Sequence, residues 1–231
     1  MIAVIAVALA IFITFFSEAS FASIGSSLCK NQSDYNCYVV KRGDTWDKLF
    51  PNSQQKDLVM RVNRMNTRLH SGMRIAIPKN LGSADLMDYA PFPRQINPPG
   101  EKMILVSVSP SVLAWGAYNA QGVLQNWGPV SGGKGWCADV NRGCGTKAGK
   151  FAIYNKGGAG CKSSKFPIPR GGAPMPYCMF FHGGFALHGS YEVPGYNASH
   201  GCVRLFISDA RWLNQEFSNG SRVIVVVRGR S

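Results

Sequence analysis

Seven cysteines lie downstream of a long apolar run, and together these features set both the compartment and the style of fold. Residues 2–16, IAVIAVALAIFITFF, carry no charged side chain. The run is short for a membrane span and suits a secretory signal, with small residues at Ser20-Phe21-Ala22 for cleavage. Residues 1–22 therefore read as a signal peptide, or as an uncleaved anchor because no basic side chain precedes the run. Either way the rest of the chain is expected outside the cytoplasm, where thiols pair. Cys29, Cys37, Cys137, Cys144, Cys161 and Cys178 can form three bridges, which leaves Cys202 over. Six cysteines allow many connectivities, and sequence does not choose among them. Proximity along the chain suggests Cys29–Cys37, Cys137–Cys144 and Cys161–Cys178. Zinc held by Cys137, Cys144 and His182 is the rival use. No CxxC spacing supports it, so neither metal nor cofactor is expected.

The net charge is +13, with the basic residues scattered rather than blocked. That pattern argues against a nucleic-acid arm and for work among anionic envelope polymers. A membrane is a partner only if the signal is retained. Residues 38–79 read as a β-α-α-β unit. Tyr38-Val39-Val40 form a strand, a turn at Gly43-Asp44-Thr45 leads into a helix, and Leu58, Val59, Val62 and Met65 recur at helical spacing. A strand from Met73 closes at Pro78, since proline cannot continue a ladder. Residues 80–101 hold Pro91, Pro93, Pro98 and Pro99 and read as a stiff linker. From residue 102 to 229 the pattern is mainly β. Three antiparallel strands come first, then Gly-rich loops over 131–150 and 156–174. One buried strand is expected from Met179 to His188, a helix from Ile207 to Phe217 and a last strand through RVIVVVR.

The chemistry centres on Ser199-His200-Gly201-Cys202-Val203-Arg204, with His188-Gly189-Ser190 upstream. A thiol beside an imidazole is a compact acyl-transfer device, because the imidazole can take the proton as sulfur attacks. The thioester intermediate needs N–H donors for its oxyanion, and Gly201 permits close backbone approach there. His188 and Cys202 are expected to meet across a hairpin-like return. His200, two residues from the thiol, is the rival base. A papain-like enzyme places its cysteine before its histidine, the reverse of the order here.

Residues 38–79 resemble the LysM glycan-binding module through Tyr38-x-Val40, Gly43-Asp44-Thr45, Asn63 and Leu69-x-x-Gly72-x-x-Ile75-x-Ile77-Pro78. The resemblance implies that Gly43, Asp44, Thr45 and Leu69 line a groove for N-acetylglucosamine-containing strands. Residues 102–229 resemble the L,D-transpeptidase catalytic domain (YkuD-like), with its HG(T/S) stretch and (S/T)HGC motif. Trp127 to Gly132, Thr146 to Phe151 and Met175 to Phe181 match further stretches, with Lys147 where the family has proline. This implies a β-sandwich or barrel in which Cys202 is the nucleophile and His188 the base, oriented by the Gly189 carbonyl. N–H groups near Gly201 and Cys202 would form the oxyanion hole. His200 and Ser199 would shape the pocket, and Arg204 would position substrate or brace the loop. The implied partner is peptidoglycan, in the periplasm or cell envelope of a bacterium. The acyl group of a stem tetrapeptide would pass to diaminopimelate. The alternatives are a lipoprotein lysine, water (a carboxypeptidase), or a non-catalytic glycan-binding envelope protein.

Overall fold

The computed structural model describes residues 23–30 and 33–229. The signal expected at residues 1–22 lies outside them. Among the described residues no helix is long and apolar enough to cross a membrane.

The N-terminal unit holds α1 (Ile24–Leu28), β1 (Tyr35–Val39), α2 (Trp46–Leu49), α3 (Ser53–Val62) and β2 (Arg74–Pro78). β1 and β2 pair antiparallel, and the Cys29–Cys37 bridge ties the end of α1 to β1. Helix starts follow from capping: Thr45 Oγ1 accepts the Lys48 N–H, and Asn52 Oδ1 accepts those of Gln54 and Gln55. Val40, Trp46, Phe50, Val59, Leu69 and Ile75 make its core. Asn63 is buried yet satisfied, donating to Val59 O and Ala76 O and accepting from the Ala76 N–H, each at 2.8 Å. It locks α3 to β2.

The larger unit holds β3 (Lys102–Ser107), β4 (Ala114–Tyr118), β5 (Leu124–Pro129), β6 (Trp136–Cys137), β7 (Arg142–Gly143), β8 (Gly149–Ala152) and β9 (Asn155–Lys156). β10 (Met179–His182), β11 (Phe185–Gly189), β12 (Val203–Leu205), α4 (Ile207–Trp212) and β13 (Val223–Arg228) follow. Two sheets form, ordered β5-β4-β3-β13-β8 and β12-β11-β10-β9. They share one core, to which Ile104, Val106, Trp115 and Val225 come from the first sheet and Met179, Leu187, Val203 and Leu205 from the second. The five-stranded sheet is buried on its other face too, where Leu105, Tyr118 and Leu124 meet Phe92. Burial on both faces explains why MILVSV is a continuous apolar run rather than an alternating one.

Four expectations need correction. The stretch from Met179 to His188 is not one strand but a hairpin, β10–β11, turned by Gly183 at φ 51° and Gly184. β11 and β12 run parallel, so the chain between them crosses over instead of returning as a hairpin. The helix from Ile207 keeps α-geometry only to Trp212, and residues 213–217 form a π turn. Residues 80–101, expected as a stiff extended linker, pack on the larger unit instead. They hold a 3-10 turn at Leu86–Tyr89 and lie along the sheet, where Trp127 Nε1 donates to Leu86 O at 2.8 Å and Tyr118 Oη to Pro93 O at 2.8 Å.

Candidate active site

The parallel pairing of β11 with β12 builds the site. His188 stands opposite Arg204, with Leu187 opposite Val203 and Gly189 opposite Leu205. Side chains alternate along a strand. Leu187, Val203 and Leu205, all fully buried, therefore take the core face. His188, Arg204 and Cys202, which lies just before β12, take the opposite face. There His188 and Cys202 line one cavity of about 730 Å³.

His188 Nδ1 lies 2.9 Å from the carbonyl oxygen of Gly189. A carbonyl only accepts, so Nδ1 carries the proton and Nε2 keeps its lone pair. Burial pushes the His188 pKa down to about 4, against the pull of that carbonyl and with help from Arg204. Burial also pushes the Cys202 thiol up. Cys202 is the one free cysteine among the described residues, and its Sγ contacts Gly184 O at 3.6 Å. Both members of the pair are thus neutral at rest near neutral pH. Sulfur must lose its proton during attack, not before it.

A buried neutral imidazole links to stability. The unfolded chain binds a proton at His188 below about pH 6.5, while the folded chain waits until about pH 4. Stability must therefore fall as pH drops through that window. Between pH 7 and pH 5, denaturant titration should show a loss of about 2 kcal/mol from this group, absent in His188→Asn.

Ser199 is buried and fixes the turn before the thiol. Its Oγ donates to Cys202 O at 2.5 Å and accepts the Gly201 N–H at 3.0 Å. This corrects one expectation: the Gly201 N–H is already spent and is not an oxyanion donor. Gly201 serves by conformation instead, at φ 125°, with Phe185 Cε1 only 2.6 Å from where a Cβ would sit. Its carbonyl accepts from Thr146 Oγ1 at 2.8 Å. Arg204 Nη1 reaches the Glu192 carbonyl at 3.4 Å and its carboxylate at 3.6 Å, and so braces the loop that follows β11.

His200 Nε2 lies 2.6 Å from Asp139 Oδ2, and its ring stacks on Phe166 at 4.4 Å. The Asp139 carboxyl is held low by that hydrogen bond. Each contact comes from a stapled loop. Asp139 lies between the bridged Cys137 and Cys144, and Phe166 between the bridged Cys161 and Cys178. The two walls of the cavity meet on His200. The Cys137 sulfur lies near Asp139 and His200 but is bonded to Cys144, so it offers no thiolate to a metal. Arg142, Lys162, Lys165 and Arg204 line the cavity against the single acid Glu192, a field that favours a carboxylate-bearing ligand.

Residues 101–225, more than half of the chain, match the YkuD family of L,D-transpeptidase catalytic domains. The chain belongs to this family. It is a cysteine-dependent L,D-transpeptidase. Comparison with curated proteins gives no match. Among solved structures, an L,D-transpeptidase from Xylanimonas cellulosilytica is 20% identical, with a TM-score of 0.55, and the match covers 82% of this chain and 97% of that one. The likeness is one of fold. An L,D-transpeptidase from Stackebrandtia nassauensis is also 20% identical, covers 59% of this chain and 60% of its own, and has a TM-score of 0.44.

The glycan-binding expectations fall on a different part of this L,D-transpeptidase. Gly43 sits in an open turn at φ 87°. Asp44 accepts from Tyr38 Oη at 2.8 Å and the Lys41 N–H at 2.7 Å, and Thr45 caps α2. Leu69 is a correction: at 4% exposure it belongs to the small core and cannot line a groove. Reading the sequence alone also missed Asp139, Phe166 and Glu192, and placed Thr146 in a motif without a role. The signal for the first two was available, since cysteines bracket both loops.

Proposed function

We propose that Cys202 is the nucleophile and His188 the base of acyl transfer on peptidoglycan stem tetrapeptides. The observation that carries this reading is the free Cys202 and the Nδ1-protonated His188 opening from adjacent parallel strands into one cationic cavity. His188 Nε2 accepts the thiol proton as sulfur attacks the carbonyl after the third stem residue. The thioester forms when D-alanine leaves with a proton returned from the imidazole. An acceptor amine then gives up its proton to His188 and takes the acyl group, restoring the thiol. With the Gly201 N–H taken by Ser199 Oγ, the Cys202 N–H is read as the backbone donor to the developing oxyanion. Ser199, Gly201 and Thr146 hold the turn, and Arg142, Lys162 and Lys165 attract the donor's carboxylates.

The N-terminal unit is read as a LysM module over 38–79. Its β-α-α-β order and the open turn at Gly43-Asp44-Thr45 support that reading. Residues 1–22 are read as an export signal, which three disulfides and the envelope substrate favour.

The test is incubation of the purified, oxidised protein with disaccharide-tetrapeptide, read by mass. Cross-linked dimer with released D-alanine is the expected result. Monomer shortened by one residue alone would make water the acceptor. Absence of dimer, D-alanine release and thioester adduct would overturn the reading.

A further inference from the structure

The loop that follows the histidine strand is held from outside its own unit. Residues 190–193 leave β11, line the cavity through Ser190, Tyr191 and Glu192, and bring Glu192 against Arg204. Local anchors are the Ser190 N–H donating to Leu205 O at 2.8 Å, the Glu192 N–H donating to Ser190 Oγ at 3.0 Å and the Arg204 contact with Glu192. The anchors from the other unit come from Asn66, between α3 and β2. The Asn66 N–H donates to Val193 O at 2.9 Å, and Asn66 Oδ1 accepts the Val193 N–H at 2.8 Å. Asn66 Nδ2 donates to Ser190 O at 3.3 Å. Next to these, Met65 and Pro194 form an antiparallel bridge. Arg64, at φ 60°, turns the chain out of α3 so that Met65 and Asn66 can reach the loop.

The side chain of Asn66 thus spans both ends of a four-residue wall. It uses one acceptor and one donor to do what a neighbouring strand would do with its backbone. Val193, at the far end, is fully buried, while Tyr191 between the anchors is 80% exposed. Both ends are hydrogen-bonded to Asn66, and Tyr191 and Glu192 between them line the cavity. Nothing in the fold of the small unit requires this arrangement. Its own helix–strand lock is Asn63, whose three bonds stay within the unit.

We propose that Asn66 is a positioning residue for the transpeptidase reaction. It holds the 190–193 wall, so the N-terminal unit completes the donor site and is more than a tether. This rests on the reading that the cavity receives the stem tetrapeptide. Asn66 acts on the substrate wall and not on the thiol, whose Sγ contact is with Gly184.

The experiment compares full-length wild type, Asn66→Ala and Asn66→Asp. The readouts are kcat and KM on the tetrapeptide, the rate of Cys202 alkylation by iodoacetamide, and the denaturation midpoint. Asn66→Ala should raise KM about tenfold, while alkylation stays within about twofold of wild type. Asn66→Asp keeps the acceptor for the Val193 N–H and should recover part of the loss. A merely structural role would lower the midpoint and change alkylation in step with activity, and that outcome overturns the proposal. So does an unchanged KM in Asn66→Ala beside an active wild type. A wild type that leaves the tetrapeptide untouched sinks the stem-peptide reading instead.

Discussion

Cys202→Ser should leave the donor tetrapeptide intact, with kcat down at least about a thousandfold. The substitution is close to isosteric, and the Cys202 backbone carbonyl still accepts from Ser199 Oγ. The denaturation midpoint should therefore stay near that of the parent protein. The chemistry alone changes. A serine hydroxyl holds its proton far more tightly than a thiol, and His188 is a weak base here because burial has lowered its pKa to about 4. That imidazole can assist a thiol whose proton is already in flight; it is poorly matched to an alcohol. The same reasoning makes the resting thiol sluggish. With burial pushing the Cys202 pKa up, iodoacetamide should label it slowly at neutral pH and faster only as pH rises past the usual thiol range of about 8.5. Full labelling at pH 6 would mean a preformed thiolate–imidazolium pair and would overturn the neutral-pair mechanism. Surviving transpeptidation in Cys202→Ser would move the nucleophile elsewhere.

What the sequence reveals divides by separation along the chain. The cluster from Ser199 to Arg204 is legible because its geometry is local: the turn, the capping hydroxyl and the thiol lie within a few residues. The three bridges are legible for the same reason, with separations of 8, 7 and 17 residues. The hairpin at Gly183-Gly184 is missed because its flanks are apolar on both sides, and a continuous apolar run masks the turn signal. The parallel pairing of β11 with β12 is missed because direction depends on a crossover, which no short pattern encodes. Asn66 and Val193 are 127 positions apart, and nothing in either neighbourhood announces the other. Leu69 shows the opposite error. Its place in a module pattern suggested a groove, but an apolar side chain in a unit this small is needed for the core. Motif resemblance carries fold further than it carries site.

The junction between the two units contains a buried ion pair, and breaking it on one side should strongly reduce stability. Arg61 on α3 meets Asp209 on α4 through two parallel contacts, Nη2 to Oδ1 at 2.6 Å and Nη1 to Oδ2 at 2.9 Å. The two residues are 6% and 3% exposed. Burial weighs against the charge on Arg61, but the carboxylates of Asp209 and Asp57 hold it protonated. Burial pushes the Asp209 carboxyl up, and Arg61 and the Trp115 indole N–H oppose that. Gly128 leaves room for the pair, since a Cβ there would fall 2.2 Å from Asp209 Oδ2. In Asp209→Ala the guanidinium keeps the solvent-facing Asp57 at 2.6 Å and loses its buried partner. Losing one partner of a buried pair costs about 3–5 kcal/mol when no other partner remains. Asp57 still faces Arg61, so the loss should fall near the lower end of that range and the denaturation midpoint should drop accordingly. The double variant Arg61→Met, Asp209→Leu removes both charges and should recover most of that loss, because filling the space with apolar groups also removes the desolvation cost. Hydrogen exchange adds a spatial readout. Once α3 loosens, amides of residues 190–193 should lose protection together with those of α3, since Asn66 links the two. A single variant within about 1 kcal/mol of wild type, or a double variant no better than the single, would show that the pair is not what holds the units together.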